Sequence, residues 1–274
     1  MSSGSLGPLR QVARGLLPMP VRRRLMRRYR RLTAWPPVGF VRFGTLRRGT
    51  PISRRFGEDR GTPLDRYYIE DFMRRHAGVP GYSPGAIRGR VLEIGEDLYA
   101  SRFGRGGDIR HVDVFDVSAR NPKATVIGDL ANGSGLPTEA YDCIICTQTL
   151  IVIYDLRAAV ATLHRMLAPG GTLLVTLPGI SQICRPDMDE WGDYWRFTTL
   201  SARRLFEDAF DPADISVDAY GNVLAATAFL YGLAVEDLKQ RELDLRDPDY
   251  QVTIGVKAVK PQATSAAPEA DAVP

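Results

Sequence analysis

Histidine and cysteine are scarce in this chain, three of each among 274 residues. Three unevenly spaced cysteines cannot build a disulfide framework, so the expected setting is a reducing one, the cytoplasm. Cys143 and Cys146 form a C-x-x-C pair inside the apolar run YDCIICTQTL, where they read as buried and inert. No second pair stands at metal-ligand spacing, and no metal is expected. Apolar runs of the roughly 18 residues needed to cross a bilayer are also missing, which argues against an integral membrane protein. The start, MSSGSLGPLRQVARGLLPMPVRRR, places its arginines after a short apolar patch broken by Pro18 and Pro20, the reverse of a secretory signal.

Acidic residues are absent from the first 57 positions, which carry fourteen arginines; against the chain's net charge of +4, the remainder therefore holds a net −10. Residues 1–57 read as a basic extension. Its densest part, VRRRLMRRYRRL, places Val21, Leu25, Met26 and Leu32 where a helix gathers them toward one side. Such a helix suits peripheral contact with an anionic membrane surface, while a solvated basic arm is the other reading. Nucleic acid is disfavoured because no stacking platform follows. The end, PQATSAAPEADAVP (261–274), has almost no large apolar residues and is expected to be disordered.

Between these ends lies enough apolar sequence for a core, 44% hydrophobic residues over the chain. From residue 85 strand-like and helix-like segments alternate, the pattern of a parallel sheet covered by helices. Strands are predicted at 90–95, 109–117, 123–130, 141–150 and 172–179, with DISVDAYG and YQVTIGVKAV closing the sheet. The near-continuous apolar run at 141–150 suits a central strand buried on both faces. Helices are predicted at 156–167, ended by Pro169, Gly170 and Gly171, and at 200–210. RYYIEDFMRRH (66–76) is a further helix ahead of the sheet, suited equally to capping a cofactor site or to packing. The expected fold is α/β: a Rossmann-like, seven-stranded, mostly parallel sheet with helices on both faces over residues 58–260, preceded by a basic N-terminal helical extension.

Glycine is sparse where cofactor loops usually concentrate it. The turn after the first strand reads EIGEDLY, with one glycine, which leaves no glycine-lined approach for a pyrophosphate and so excludes a nicotinamide cofactor.

Three stretches carry a family resemblance. LHRMLAPGGTLLVTLPG (163–179), the Gly-Asp-Leu of 128–130 followed by YDCIICTQTL, and DYWRFTTLSARRLFEDAF (193–210) together resemble class I S-adenosylmethionine (SAM)-dependent methyltransferases. The resemblance covers roughly residues 89–258 and is to a bacterial, type 11-like branch; the third stretch is similar to methyltransferases of sugar and cell-surface glycan pathways. The family's first loop reads acidic-x-Gly-x-Gly-x-Gly. Here Glu93 and Gly95 match it, but Asp97 and Tyr99 replace the second and third glycines.

The resemblance implies SAM as cofactor. Gly95 would let the backbone approach it, and Asp116 would accept from the ribose hydroxyls, with Asp113 as the alternative. Glu93 would orient the methionine ammonium and Asp97 would add a side-chain contact. Asp129 would meet the adenine amino group with Leu130 beside it, and Thr147 and Gln148 would flank the cofactor. The loop GISQICRPDMDEWGDYWRF would cover the acceptor. In it Asp187, Asp189 and Asp193, with Glu190, are candidate bases for a hydroxyl, and Trp191, Tyr194 and Trp195 are candidate stacking surfaces for a sugar. None of His76, His111 and His164 falls at an acceptor position. The implied function is O-methylation of a sugar or glycan-related small molecule. The other reading is a noncatalytic methyltransferase-fold protein that binds or scaffolds in a surface-glycan pathway.

Overall fold

The computed structural model describes residues 44–76, 85–104 and 108–262, together with Val21, Arg24, Leu25, Tyr29, Pro36 and Arg42. Val21, Arg24, Leu25 and Tyr29 are helical; the rest of the arginine-rich helix expected around them, and the tail beyond Gln262, lie outside the described residues. The chain divides into two units, 1–50 and 51–274. In the first, Gly44–Leu46 forms one 3-10 turn.

In the second unit the described strands form one seven-stranded sheet in the order β3-β2-β1-β4-β5-β7-β6. The strands are β1 (Gly89–Ile94), β2 (Ile109–Asp116), β3 (Val126–Ile127), β4 (Tyr141–Thr147), β5 (Leu167–Pro178), β6 (Ile215–Tyr220) and β7 (Thr253–Val259). The pairings from β3 to β5 are parallel, whereas β7 runs antiparallel to both β5 and β6. Strand side chains alternate in direction, so successive apolar residues feed two cores. Leu92, Ile144, Cys146, Leu173 and Val175 meet the helices α3 (Leu156–Met166) and α5 (Thr199–Glu207). Val91, Cys143, Ile145 and Leu174 meet α1 (Leu64–His76), α2 (Leu98–Phe103) and α6 (Val223–Leu230) on the other face. Cys143 and Cys146 therefore belong to opposite cores and cannot converge on one metal ion. Burial pushes the Cys146 thiol up to about 12 and the Cys143 thiol above its ordinary value too.

Four features depart from the expectation. β3 is two residues long, not eight: only Val126 and Ile127 pair with Phe115 and Asp116 of β2 in the ladder. The Pro-Gly-Gly turn lies inside β5: Leu167 pairs with Tyr141, the register then slips, and Thr172 pairs with Cys143, with Gly170 at φ +76° in the bulge. Besides α2, three helices had no sequence signal: α4 (Arg185–Glu190), α6 and α7 (Gln240–Asp244). Finally, residues 51–57, assigned by sequence to the extension, pack within the second unit. The N–H groups of Ile52 and Ser53 donate to the Tyr231 carbonyl at 2.8 and 3.2 Å, and the Phe56 ring lies 5.6 Å from that of Phe229. Further along, Val235 N–H donates to the Thr62 carbonyl at 2.8 Å and Arg60 pairs with Asp237 at 2.9 Å, so residues 51–63 form a strap ending at α1.

Candidate active site

Strand order reverses between β1 and β4, and the crevice at the carboxyl ends of such strands is the ligand position of this architecture. Gly95 directly follows β1 there; its φ of +86° disfavours a side chain, and its missing Cβ would meet nothing within 4 Å. Gln148 directly follows β4, also left-handed at φ +51° and costly for a residue with a Cβ; its N–H donates to the Thr176 carbonyl at 2.9 Å. Both residues line a cavity of about 560 Å³ whose floor includes Ile94, Phe115, Asp116, Asp129 and Leu130. Val152, Ile153, Tyr154, Trp191 and Tyr194 complete its wall.

Asp116 stands at the end of β2 with its carboxylate held from two sides. One oxygen accepts from Ser118 N–H at 2.8 Å and the other from Asn121 Nδ2 at 2.9 Å. Asn121 also donates to the Gly95 carbonyl at 2.7 Å, tying the β1 turn to the β2 end. Each carboxylate oxygen retains a lone pair, enough for two hydroxyl donors. Asp129 accepts from Ala131 N–H at 2.8 Å in a tight turn, leaving its second oxygen available.

A second cavity, about 460 Å³, adjoins the first and shares Gln148 and Asp187 with it. Its walls come from the strap (Arg55, Phe56, Glu58), the start of α1 (Asp65, Arg66), the end of β5 (Pro178) and the following loop (Ser181, Gln182, Cys184, Arg196). Burial, aided by the Asp187 carboxylate, pushes the Cys184 thiol up to about 11, which keeps it a neutral thiol.

The structure brings Gly95, Asp116, Asp129, Leu130, Gln148, Asp187, Trp191 and Tyr194 to these cavities, and the other expected site residues elsewhere. Glu93 is buried, and its two oxygens accept from the N–H groups of Tyr99 and Ala100 at 2.9 and 2.7 Å. It anchors α2 and is not free to hold an ammonium. Asp97 lines neither cavity and pairs with Lys123 at 3.0 Å. Asp113 is spent on Arg90 at 2.7 Å and on Thr125 at 2.7 Å; burial works to raise its carboxyl, but these partners and His111 hold it below its ordinary value. Asp116, not Asp113, is therefore the carboxylate of β2 at the cavity. Thr147 contributes its carbonyl to the Thr149 hydroxyl.

On the acceptor side, Asp189 is exposed and 3.5 Å from Arg185, while Glu190 pairs with Arg120 at 2.8 Å. Asp193 is fully buried against Arg196 and accepts from Cys184 N–H at 2.9 Å. Burial works to raise its carboxyl but Arg196 outweighs it, so Asp193 stays ionised as a loop clamp rather than a base. Trp195 donates its ring N–H to the Ile153 carbonyl at 3.1 Å and packs against the core. Sequence reasoning missed Asn121, Tyr154, Asp65 and Arg66. Asn121 and Tyr154 lie outside the quoted motifs, and the other two belong to a helix that precedes the sheet. Among the described residues no cluster of three metal-ligating side chains occurs, and no helix is long and apolar enough to cross a membrane.

The cavity fits SAM: Gly95 leaves backbone where a Cβ would intrude, two carboxylates sit at the ends of β2 and β3, and apolar residues lie between them. The α2 amides that a phosphate would need are already taken by Glu93, which explains why a donor without phosphate tolerates this loop. A family model described as "Methyltransferase domain" matches residues 66–212, more than half of the chain. No curated protein matches the sequence. Similar solved structures include phosphoethanolamine N-methyltransferase 2 of Haemonchus contortus in complex with SAM, 17% identical, with 72% of this chain and 53% of that one covered and a TM-score of 0.48. The chain thus spans about half the length of that enzyme. The N-methyltransferase NodS of Bradyrhizobium japonicum, in complex with S-adenosylhomocysteine (SAH), is 15% identical over 75% of this chain and 91% of that one, with a TM-score of 0.45. A SAM-dependent methyltransferase of Archaeoglobus fulgidus is 13% identical over 72% and 93%, with the same TM-score. The match over residues 66–212, more than half of the chain, shows that the chain belongs to the methyltransferase-domain family, on a sheet of order 3-2-1-4-5-7-6 with an antiparallel β7.

Proposed function

We propose that the chain holds SAM in the first cavity and transfers its methyl group to a hydroxyl of a sugar or glycan-related small molecule in the second. The observation that carries this reading is the pair of adjoining cavities that share Gln148 and Asp187 as walls. SAM supplies an electrophilic methyl group on a sulfonium centre. Asp116 receives the ribose hydroxyls on its remaining lone pairs and Asp129 the adenine amino group, while Phe115, Leu130 and Val152 exclude water from the ring. Gln148, fixed at the junction by the Thr176 carbonyl, keeps the two chambers in register. Asp187, on the wall common to both, takes the proton from the acceptor hydroxyl as the new C–O bond forms. Phe56 and Phe229 offer apolar faces to the acceptor in the second cavity, while Trp191 and Tyr194 close the donor cavity beside it, and orientation of this kind supplies up to roughly 7–11 kcal/mol in well-arranged reactions.

Calorimetric titration of SAM and SAH into the chain and into Asp116→Ala tests the reading. Micromolar binding that the variant loses is the expected result. Failure of both ligands to bind at millimolar concentration would overturn it in favour of a noncatalytic binding or scaffold role.

A further inference from the structure

Tyr99, the residue that departs furthest from the family's glycine pattern, does not reach the first cavity. Its ring is buried in the core beneath α1, stacked on Phe103 at 6.2 Å between centroids. Its hydroxyl accepts from Arg66 Nη1 at 3.0 Å. Arg66 stands on the first turn of α1 and lines the second cavity.

The other guanidiniums of that cavity are neutralised. Arg196 is held by the buried Asp193, and Arg55 pairs with Glu58 at 3.0 Å. Arg66 is exposed at the cavity wall and, among the described residues of this cavity, forms no ion pair within bonding distance: Tyr99, a neutral phenol, accepts its hydrogen bond, and the carboxylates of Asp65 and Glu96 act on it only through space. Asp65, next to it in sequence, accepts the Arg66 backbone N–H at 2.9 Å, and burial pushes its carboxyl up, which weakens it as a counter-ion. A guanidinium presents five N–H donors in a planar fork, so after one bond to Tyr99 the remaining donors still match two oxygens of an anion. A neutral ligand covering this guanidinium would strip its water without bringing a hydrogen-bonded anion in return.

Resting on the reading of this cavity as the acceptor chamber, we infer that the acceptor carries an anionic group, a carboxylate or a phosphate, received by Arg66, with Tyr99 as the positioning residue that fixes the guanidinium at the wall. The second departure from the glycine pattern thus serves acceptor selection, and not donor binding.

The test is calorimetry with glucuronate, glucose 1-phosphate and neutral glucose, each run with and without saturating SAH. At least one anionic sugar is expected to bind about tenfold or more tightly than glucose, and the preferred anion distinguishes carboxylate from phosphate. Arg66→Gln is expected to abolish that preference. Tyr99→Phe, which keeps the ring in the core, is expected to weaken the anion several-fold and leave the SAH affinity unchanged. Equal binding of the three sugars, absence of binding by both anions at millimolar concentration, or a preference that survives Arg66→Gln overturns the inference. SAH titrated alone reports on the donor site separately: an anion preference without SAH binding would sink the methyl-transfer reading and overturn the acceptor role assigned here, while SAH binding without an anion preference would overturn this inference alone.

Discussion

Glu93, near the end of β1, has its carboxyl turned under the first turn of α2, and burial pushes it up to about 7 from an ordinary 4.5. Between pH 4.5 and 7 the folded chain retains a proton that the unfolded chain has released, so this residue lowers stability as pH rises through that window. His76 acts in the opposite sense. Burial pushes its imidazole down to about 4, so between pH 4 and 6.5 the unfolded chain binds the extra proton and stability rises with pH. The two slopes oppose each other and flatten the profile of the natural chain. Glu93→Gln removes one of them, so urea unfolding of the variant should show stability climbing by roughly 2–3 kcal/mol between pH 4.5 and 6.5. Gly95 sits two residues further on. Gly95→Ala meets no protein atom within 4 Å, so its cost to the fold is the left-handed backbone alone, about 1–2 kcal/mol in a thermal melt, while SAH binding should be lost to the methyl group in the cavity. Gly95, Asp116 and Asp129 were legible because they belong to a spaced pattern. Asn121 and Tyr154 were not, because their roles depend on which loops lie beside the strand ends.

At the scale of elements, α6 shows why a helix can escape a periodicity reading. VLAATAFL is apolar on nearly all sides, so no stripe marks it. What starts it is Asn222, whose side-chain oxygen accepts from Leu224 and Ala225 N–H at 2.9 and 3.0 Å, and whose amide donates to the carbonyls of Glu242 and Leu245 at 2.7 and 2.8 Å. Asn222→Ala strips a cap and leaves two carbonyls on the α7 side without their donor, and a loss of about 3 kcal/mol or more is expected in chemical denaturation. α1 depends on a glycine in the sheet. A Cβ on Gly255 of β7 would stand 2.4 Å from the Phe72 ring, so Gly255→Ala should displace α1 and cost about 1–3 kcal/mol. Because α1 also carries Arg66, the same variant should weaken an anionic sugar more than it weakens SAH. The alternating strands and α3 were readable from burial on both faces and a single stripe, whereas β3 was overread because its apolar residues continue into a cavity wall.

For the whole molecule, the division after Thr50 separates a segment rich in arginine from a unit that contains both cavities. A chain beginning at Pro51 is expected to melt as the full chain does and to bind SAH with the same affinity. Removal of residues 51–57 as well takes away Arg55 and Phe56 and should open the acceptor chamber, so that melting falls and sugar binding weakens. If the basic arm meets an anionic surface as its sequence suggests, only the full chain will sediment with phosphatidylserine vesicles, and raising salt to about 0.5 M will release it. Alternation of apolar runs, the single-glycine turn and an aspartate, Asp116, twenty-one residues beyond Gly95 were enough for the sequence by itself to determine the sheet and the family and to pick out Gly95, Asp116 and Asp129, which line one cavity, because each follows from periodicity along one stretch of chain. The partners of individual side chains were decided only by tertiary structure: Asp193 went to an ion pair, Glu93 to a helix terminus and Tyr99 to a guanidinium from a helix 33 residues earlier. Which partner a charged side chain takes depends on burial and on distances across the fold, and no local pattern encodes those.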